Sequence, residues 1–593
     1  MKITPTSLTL NQLFSSSNEQ YVIPAYQRRY SWHERQVLEL VDDIELLEGG
    51  DTHLLGSIVC LTGSHTAGLN QLELVDGQQR LTTISILFEC IKERLAKDKR
   101  TDLVTEVARL LSAKSIDGKV MPKVLLDSID SKEFARLQKA ESAGDFKNDN
   151  LRQAFDVLRE WVAEQEPEDL SAFLYRLQNQ AFVIRLDVSD AKDAFKLFET
   201  INNRGLRLSP TDIIKNFLLG NAARFGAESL ELAREAWAKL IRNLDGTSSD
   251  VFFRYFLTAR TKRRVTAAYV VPVFKLLFMN EVKEAASLPD RHNYVDDEDD
   301  DEEGEGDSAS ESIPLPDEEV EYEQVSFKQF LVRLVLSAKV YAELVLAKTG
   351  NAKIDRRLNN LRKIKAGQTF GFLMYLRVGG CDEKNFLKIL ALTEAFVLRR
   401  HVCRERANET ERLFASLCGI DCASPIAETR AFYREYCPSD DKFREEFAAV
   451  NFTSNILDRA RYCLETIEMS KHGSYAELQV LGTDSVHVEH IMPQKIKSKK
   501  VKEEFGDWVT YLGDKAEILH SKYVSRIGNL TLFSGTLNIG ASNNPFAKKK
   551  SAYRESSILI TKDLLNYSQF KVKQIELRSK KFAELAVELW PAP

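Results

Sequence analysis

The stretch Val486-His-Val-Glu-His-Ile-Met-Pro-Gln494, followed by Arg526-Ile-Gly-Asn-Leu-Thr-Leu-Phe533, decides how this chain is read. It offers one candidate general base, His490, with a carboxylate beside it, Glu489. Two amides follow, Asn529 and Asn538, and then a Lys-rich segment, Phe546-Ala-Lys-Lys-Lys-Ser-Ala-Tyr553. An imidazole, a carboxylate and an amide can hold one divalent cation and deprotonate a water, the parts that phosphodiester hydrolysis needs. A nuclease centre is therefore expected near the end of the chain.

Working outward, 593 residues are too many for one core, and two to four domains are expected. Hydrophobic residues make up 44% and charged residues 29%, ordinary for a globular protein, and no apolar run is long enough to span a membrane. The start, Met-Lys-Ile-Thr-Pro-Thr, has no apolar segment after its basic residue, and the eight cysteines are scattered. Both features place the chain in the cytosol. The net charge of −6 argues against a nucleic-acid binder only on average, because Asp296 to Glu303 is an unbroken acidic run. Like charges this dense cannot pack, so residues 286–323 are expected to be a disordered acidic linker.

The N-terminal part reads as mixed. A helix is expected over Leu8–Phe14 and a short strand over Tyr21–Ile23. The helix after Trp32 runs to about Glu48, and strands follow at His53–Leu61 and Gln71–Val75. The last strand runs into Asp76-Gly-Gln-Gln-Arg-Leu-Thr-Thr83 and a further helix. A glycine turn into a helix aims backbone N–H groups along the helix dipole, a natural seat for a nucleotide phosphate. Arg80 can clamp phosphate oxygens, and Asp76 can hold a metal or a ribose hydroxyl. Residues 100–180 are helical in pattern. Asn202-Asn-Arg-Gly205 reads either as a capped helix–helix turn or as a loop whose Asn203 and Arg204 face the nucleotide; Ser209 and Pro210 then start a helix. Beyond it the pattern is almost wholly helical. Two basic clusters there, Arg254 to Arg264 and Arg399 to Arg406, either track a phosphate backbone or form solvated helix faces.

Ile23-Pro-Ala-Tyr-Gln-Arg-Arg-Tyr-Ser-Trp32, Asp76-Gly-Gln-Gln-Arg-Leu-Thr-Thr83 and Phe198-Glu-Thr-Ile-Asn-Asn-Arg-Gly-Leu-Arg-Leu-Ser209 resemble the N-terminal domain of the GmrSD family. That family comprises modification-dependent, type IV restriction enzymes. His490, Asn529, Asn538 and the Lys-rich helix resemble its HNH-type nuclease domain. The resemblance covers roughly residues 1–220 and 475–560. It implies an α+β, predominantly helical fold with a ParB/sulfiredoxin-like N-terminal α/β core, a helical middle and a C-terminal ββα-metal (HNH) nuclease domain. The expected boundaries are a nucleotide-binding domain at 1–220, helices at 221–285, the acidic linker at 286–323, a helical domain at 324–474 and the nuclease at 475–593.

Carried over by residue, Asp76, Gly77, Gln78, Gln79 and Arg80 would form the nucleotide-hydrolysis motif, with Tyr26, Gln27 and Arg28 beside it. His490 would be the general base and Asn529 would orient its loop. Asn538 and Glu489 would be metal ligands for one Mg²⁺ or Mn²⁺. His487 is read as support on the same strand face. Lys548, Lys549 and Lys550 would bind DNA phosphates as point charges, with Lys495 to Lys502 as further backbone contacts or a flexible basic loop. The implied protein is an NTP-regulated endonuclease, using GTP, ATP or another nucleotide, that cuts foreign and modified phage DNA; double-strand cutting by one centre would favour a homodimer. The alternative is a nucleotide-switched DNA-binding protein whose N-terminal domain reads the modification and is not an NTPase.

Overall fold

The computed structural model describes residues 3–66, 68–139, 145–202, 209–288, 323–472, 485–496, 508–535, 537 and 544–593. The acidic run lies outside them, as do Asn203, Arg204, Asn538 and all of the 495–502 lysines except Lys495. The described chain is predominantly helical around a mixed sheet. It divides into two compact units. One contains residues 1–254 and 266–339, the other residues 255–265 and 340–593.

The first unit is built on β1 (Ile3–Thr9), β2 (Glu19–Ile23), β3 (His53–Thr66) and β4 (Leu69–Asp76). A small hairpin, β5 (Ser112–Lys114) and β6 (Val120–Pro122), leads into β7 (Val124–Leu126), and β8 (Ala181–Val188) completes the set. The six-stranded sheet has the order β1-β8-β3-β4-β2-β7, with β5 and β6 paired separately. Pairings are mixed: β8 runs parallel to β3 and antiparallel to β1, while β2 runs parallel to both β4 and β7. Four of these strands depart from the helical expectation. β1 occupies the lead-in that periodicity assigns to a helix, which begins only at Leu10. The β5–β7 segments interrupt the stretch at 100–180. β1 is a polar, Thr-rich edge strand with no apolar alternation to read, and β5, β6 and β7 have three residues each, too few to show a period of two.

Helix α1 (Gln78–Lys97) leaves the sheet directly after β4. It is buried on nearly every side, because the strands face it from one side and further helices cover it from the other. Leu81, Ile84, Leu87, Phe88 and Ile91 share one core with Tyr21 and Ile58 of the strands and with Val37, Phe155 and Phe173 of the covering helices. The entry to α1 depends on Gly77. Its φ is +90°, and a Cβ there would stand 2.5 Å from Ile58 Cγ2. Helices α2 (Ala191–Asn202), α3 (Pro210–Phe225) and α4 (Ala227–Asn243) follow β8. Ser209 caps α3 by accepting from the Asp212 N–H, and Pro210 occupies the first turn, as the sequence predicts. Phe217, Phe274, Phe278 and Phe330 then pack mostly edge to face across the later helices of this unit.

In the second unit the elements used below are α5 (Ala352–Lys363), α6 (Glu383–Val402), α7 (Pro425–Tyr436), α8 (Leu457–Ser470), strands β9 (Val486–His490) and β10 (Leu530–Ser534), α9 (Phe546–Glu555) and α10 (Val572–Leu589). No helix among the described residues is long and apolar enough to cross a membrane.

Gly77→Ala is expected to destabilise the protein by about 2–4 kcal/mol, since both the left-handed backbone and the Ile58 clash oppose it. Gly118→Ala, at φ +81° in open space, should cost only about 1 kcal/mol. Urea unfolding of the two variants measures the difference; equal losses would show that the Ile58 approach is not what fixes the turn.

Candidate functional site

Strands β9 and β10 form a two-stranded antiparallel sheet in which His490 pairs with Leu530 and Glu489 with Thr531. The chain leaves β9 in a loop that Asn529 ties down. The Asn529 carbonyl accepts from Ile491 N (2.9 Å), its Oδ1 accepts from Met492 N (2.8 Å), and its Nδ2 donates to Met492 O (2.9 Å) and Val524 O (2.8 Å). Asn529 is wholly buried, so it touches no substrate; it positions the loop that follows His490. Residue Gly528 lets α10 approach. A Cβ there would lie 2.1 Å from Ile575 O, and the Gly528 N–H donates to Ser579 Oγ at 3.1 Å. From the same helix the buried Arg578 guanidinium donates to the Gly528, Leu530 and Ile560 carbonyls. Burial pulls Arg578 down to about 10. At the other end of β9, the buried Arg461 of α8 donates to Val486 O and pairs with Glu465 at 2.7 Å.

His490 is 8% exposed, with Gln494 Nε2 3.4 Å from its Nε2. Burial, and then the nearby Lys549 and His520, lower its pKa to about 4, so the ring is neutral at neutral pH and able to accept a proton. Residue Lys549 enters from α9. Its ammonium donates to Glu489 Oε1 at 2.5 Å and to His490 O at 3.1 Å. Burial raises Glu489 and lowers Lys549, while their mutual attraction pulls both back toward the charged forms.

This geometry corrects the expected DNA contacts. Lys549 is fully buried and committed to Glu489, because it lies on the face of α9 that carries Phe546 and Tyr553 into the core. The i, i+3, i+7 spacing of those three residues is visible in the sequence and marks Lys549 as inward-facing. Lys550 is half-buried and donates to Tyr567 O at 2.9 Å, and Lys548 alone of the three is exposed. His487 stands three residues from His490, hence on the opposite strand face, against Gly535. The Arg399 and Arg400 pair is likewise neither a solvated face nor a phosphate track. Both are buried; they donate to Pro438 O and Tyr436 O at the C-terminal end of α7 and pair with Asp440 and Glu409.

In the first unit, Asp76, Gly77, Gln78, Gln79 and Arg80 come together at the turn from β4 into α1, and the 26–31 loop lies against it. Gln79 Oε1 accepts from Ser31 N (2.8 Å) and its Nε2 donates to Arg29 O (3.2 Å). Arg80 donates to Ser57 O at 2.9 Å and lies against Gly56; burial lowers its pKa. Gln78 Oε1 is buried with no hydrogen-bond partner among the described residues. The buried Tyr26 donates to Glu73, which also pairs with Arg234 at 2.7 Å, so its ring packs internally beside the turn. Gln27 is buried as well. Its Nε2 donates to Leu74 O and Val75 O, and its Oε1 accepts from Lys215 of α3 at 2.5 Å. Arg28 is half exposed, 3.6 Å from Asp212. Lys215 is 3% exposed, and burial lowers its pKa while Asp212 and Asp76 raise it. The sequence does not single out Lys215, Asp212 or Arg234, which belong to helices that meet the turn only in the tertiary structure, or Glu73, which lies on β4.

The description of the GmrSD restriction endonuclease N-terminal domain matches residues 10–219, and that of the GmrSD restriction endonucleases' C-terminal domain matches residues 437–585. Together the two cover more than half of the chain. No curated protein matches it.

Lys549→Met should destabilise the protein by about 3–5 kcal/mol, because it strands the Glu489 carboxylate in a buried site. Lys549→Met combined with Glu489→Leu should recover most of that loss. Chemical unfolding of the full chain decides between this and a pair that contributes nothing, for which the single variant would match the parent.

Proposed function

The chain belongs to the GmrSD restriction endonucleases, and we propose that His490 is the general base of an HNH-type, ββα-metal centre that cuts DNA under the control of a nucleotide bound in the first unit. That the enzyme is a restriction nuclease of phage defence, with DNA as substrate, follows from the family. The finer reading rests on one observation above all: a neutral imidazole at the end of β9, with its following loop braced by Asn529 and its strand packed against a helix that carries Lys549.

His490 accepts the proton of the water that attacks phosphorus. Asn529 holds the loop so that the imidazole keeps its aim, and Lys549 orients the Glu489 carboxylate. The donor set suits a hard cation, since Lys549 engages one Glu489 oxygen and leaves the other for a ligand role. Glu489 and Asn538 are the residues proposed to hold Mg²⁺ or Mn²⁺, which would supply charge neutralisation at the scissile phosphate.

For the nucleotide, the start of α1 offers N–H groups at the positive helix end, with Arg80, Arg28 and Lys215 as surrounding cations and Asp76 as a carboxylate. The unsatisfied Gln78 Oε1 is consistent with a ligand there. We assign Asp76, Gly77, Gln78, Gln79 and Arg80 to this nucleoside triphosphate. Gln27 and Tyr26 act as positioning residues. Discrimination of modified from unmodified DNA belongs to the same proposal.

His490→Ala should lower cleavage of phage DNA by about 10²–10⁴-fold with DNA affinity retained; cleavage at the parental rate with metal present would sink the base assignment. Asp76→Ala together with Arg80→Ala should abolish phosphate release from NTP and the nucleotide's effect on cutting. Phosphate release that survives both changes would give the N-terminal pocket to reading DNA instead.

A further inference from the structure

Within the second unit, α5, α6, α7 and α8, with residues 589–593, border a cavity of about 1940 Å³. Most of its lining comes from residues 352–434, between the two matched regions. Eight Lys or Arg and four Asp or Glu line it.

The carboxylates are mostly spent internally. Glu394 receives Arg357, Asn360 and the Tyr462 hydroxyl, each at 2.6 Å. Glu465 receives Lys363 at 2.6 Å and Arg461 at 2.7 Å. Asp355 accepts from Thr349 N and Oγ1. That leaves Asp458 against Lys353, Arg356, Arg362, Lys388, Arg430 and Arg434; the first five have no carboxylate partner among the described residues, and Arg434 donates to the Pro593 oxygen at 3.3 Å. These six cations come from three helices and are exposed. Six like charges around one concavity repel one another, and Asp355, Asp458 and the Pro593 oxygen offset them only in part.

We propose that this groove grips the phosphate backbone of duplex DNA without regard to sequence. The proposal rests on DNA being the substrate and adds a second site of contact to the nuclease centre. Cations spread over three helices suit a polyanion better than a single phosphate. The aromatic residues of the lining, Tyr462 and Trp590, are buried at 2% and 3% exposure, so among the described residues the groove has no stacking platform for unpaired bases; this favours a duplex over a single strand. The groove and the nuclease strand also share an element. α8 lines the groove through Tyr462 and Glu465, and its Arg461 holds Val486 O at the start of β9. A backbone seated in the groove is thereby held on the scaffold that places His490.

The test uses the full chain carrying His490→Ala, so that DNA stays intact, and a short labelled duplex measured by anisotropy over a salt series. Lys353→Gln, Arg356→Gln, Lys388→Gln and Arg430→Gln together should weaken binding at least about 10-fold at physiological salt and make the log–log salt dependence shallower by about 3–4. The charge-keeping set Lys353→Arg, Arg356→Lys, Lys388→Arg and Arg430→Lys should bind as the parent does. An unchanged salt slope, a loss shared by the charge-keeping set, or binding confined to single strands overturns the groove. If the parent shows no salt-dependent binding of duplex, DNA as the substrate falls, and the groove with it.

Discussion

A lysine ammonium shut away from water ties helix α9 to strand β9. Lys549 satisfies one oxygen of Glu489 and the carbonyl of His490. It can do so because the aromatic residues on either side of it, Phe546 and Tyr553, anchor α9 in the core. Stranding one buried charge of such a pair costs far more than a surface ion pair contributes, so strand and helix must fold as one piece. Asn529 and Arg578 act in the same way on uncharged partners. Between them they take up backbone carbonyls that the irregular loops around β10 would otherwise bury unpaired.

The first unit relies on the same device. Its loop at 26–31 has no secondary structure to satisfy it, and buried amides do so instead. Gln27 fastens it to the edge of β4 and to Lys215, and Gln79 fastens it to the start of α1. Polar side chains that resemble ligand contacts in the sequence are thus, in part, the means by which the turn at Gly77 is held rigid. A rigid turn is what a phosphate site requires, since preorganised N–H groups bind without paying to be ordered.

Charge in the second unit is sorted by whether a partner is present. Arg399, Arg400, Lys549 and Arg578 sit inside, each bonded to carbonyls or carboxylates. Lys353, Arg356, Lys388 and Arg430 sit outside around one concavity, unpaired with any carboxylate among the described residues. A sequence shows both kinds as the same letters. Only position distinguishes a cation that holds the fold from one that is available to a polyanion.

By itself, the sequence determined the family, the pairing of Asp76–Arg80 with His490 in one chain, the strands at His53–Leu61 and Gln71–Val75, which the fold extends to Thr66 and back to Leu69, and the capped start of α3. Each of these is a local signal: a glycine at a turn, a proline in a first helical turn, an alternation of apolar residues. The tertiary structure decided which polar groups are buried and with what they pair. β1 has no apolar alternation and β5–β7 are too short to carry a period, and they exist because a neighbouring strand completes their hydrogen bonds. Lys549 became a structural partner, Tyr26 a packing residue, and Lys215 a neighbour of Asp76, because desolvation and pairing depend on what surrounds a side chain in space.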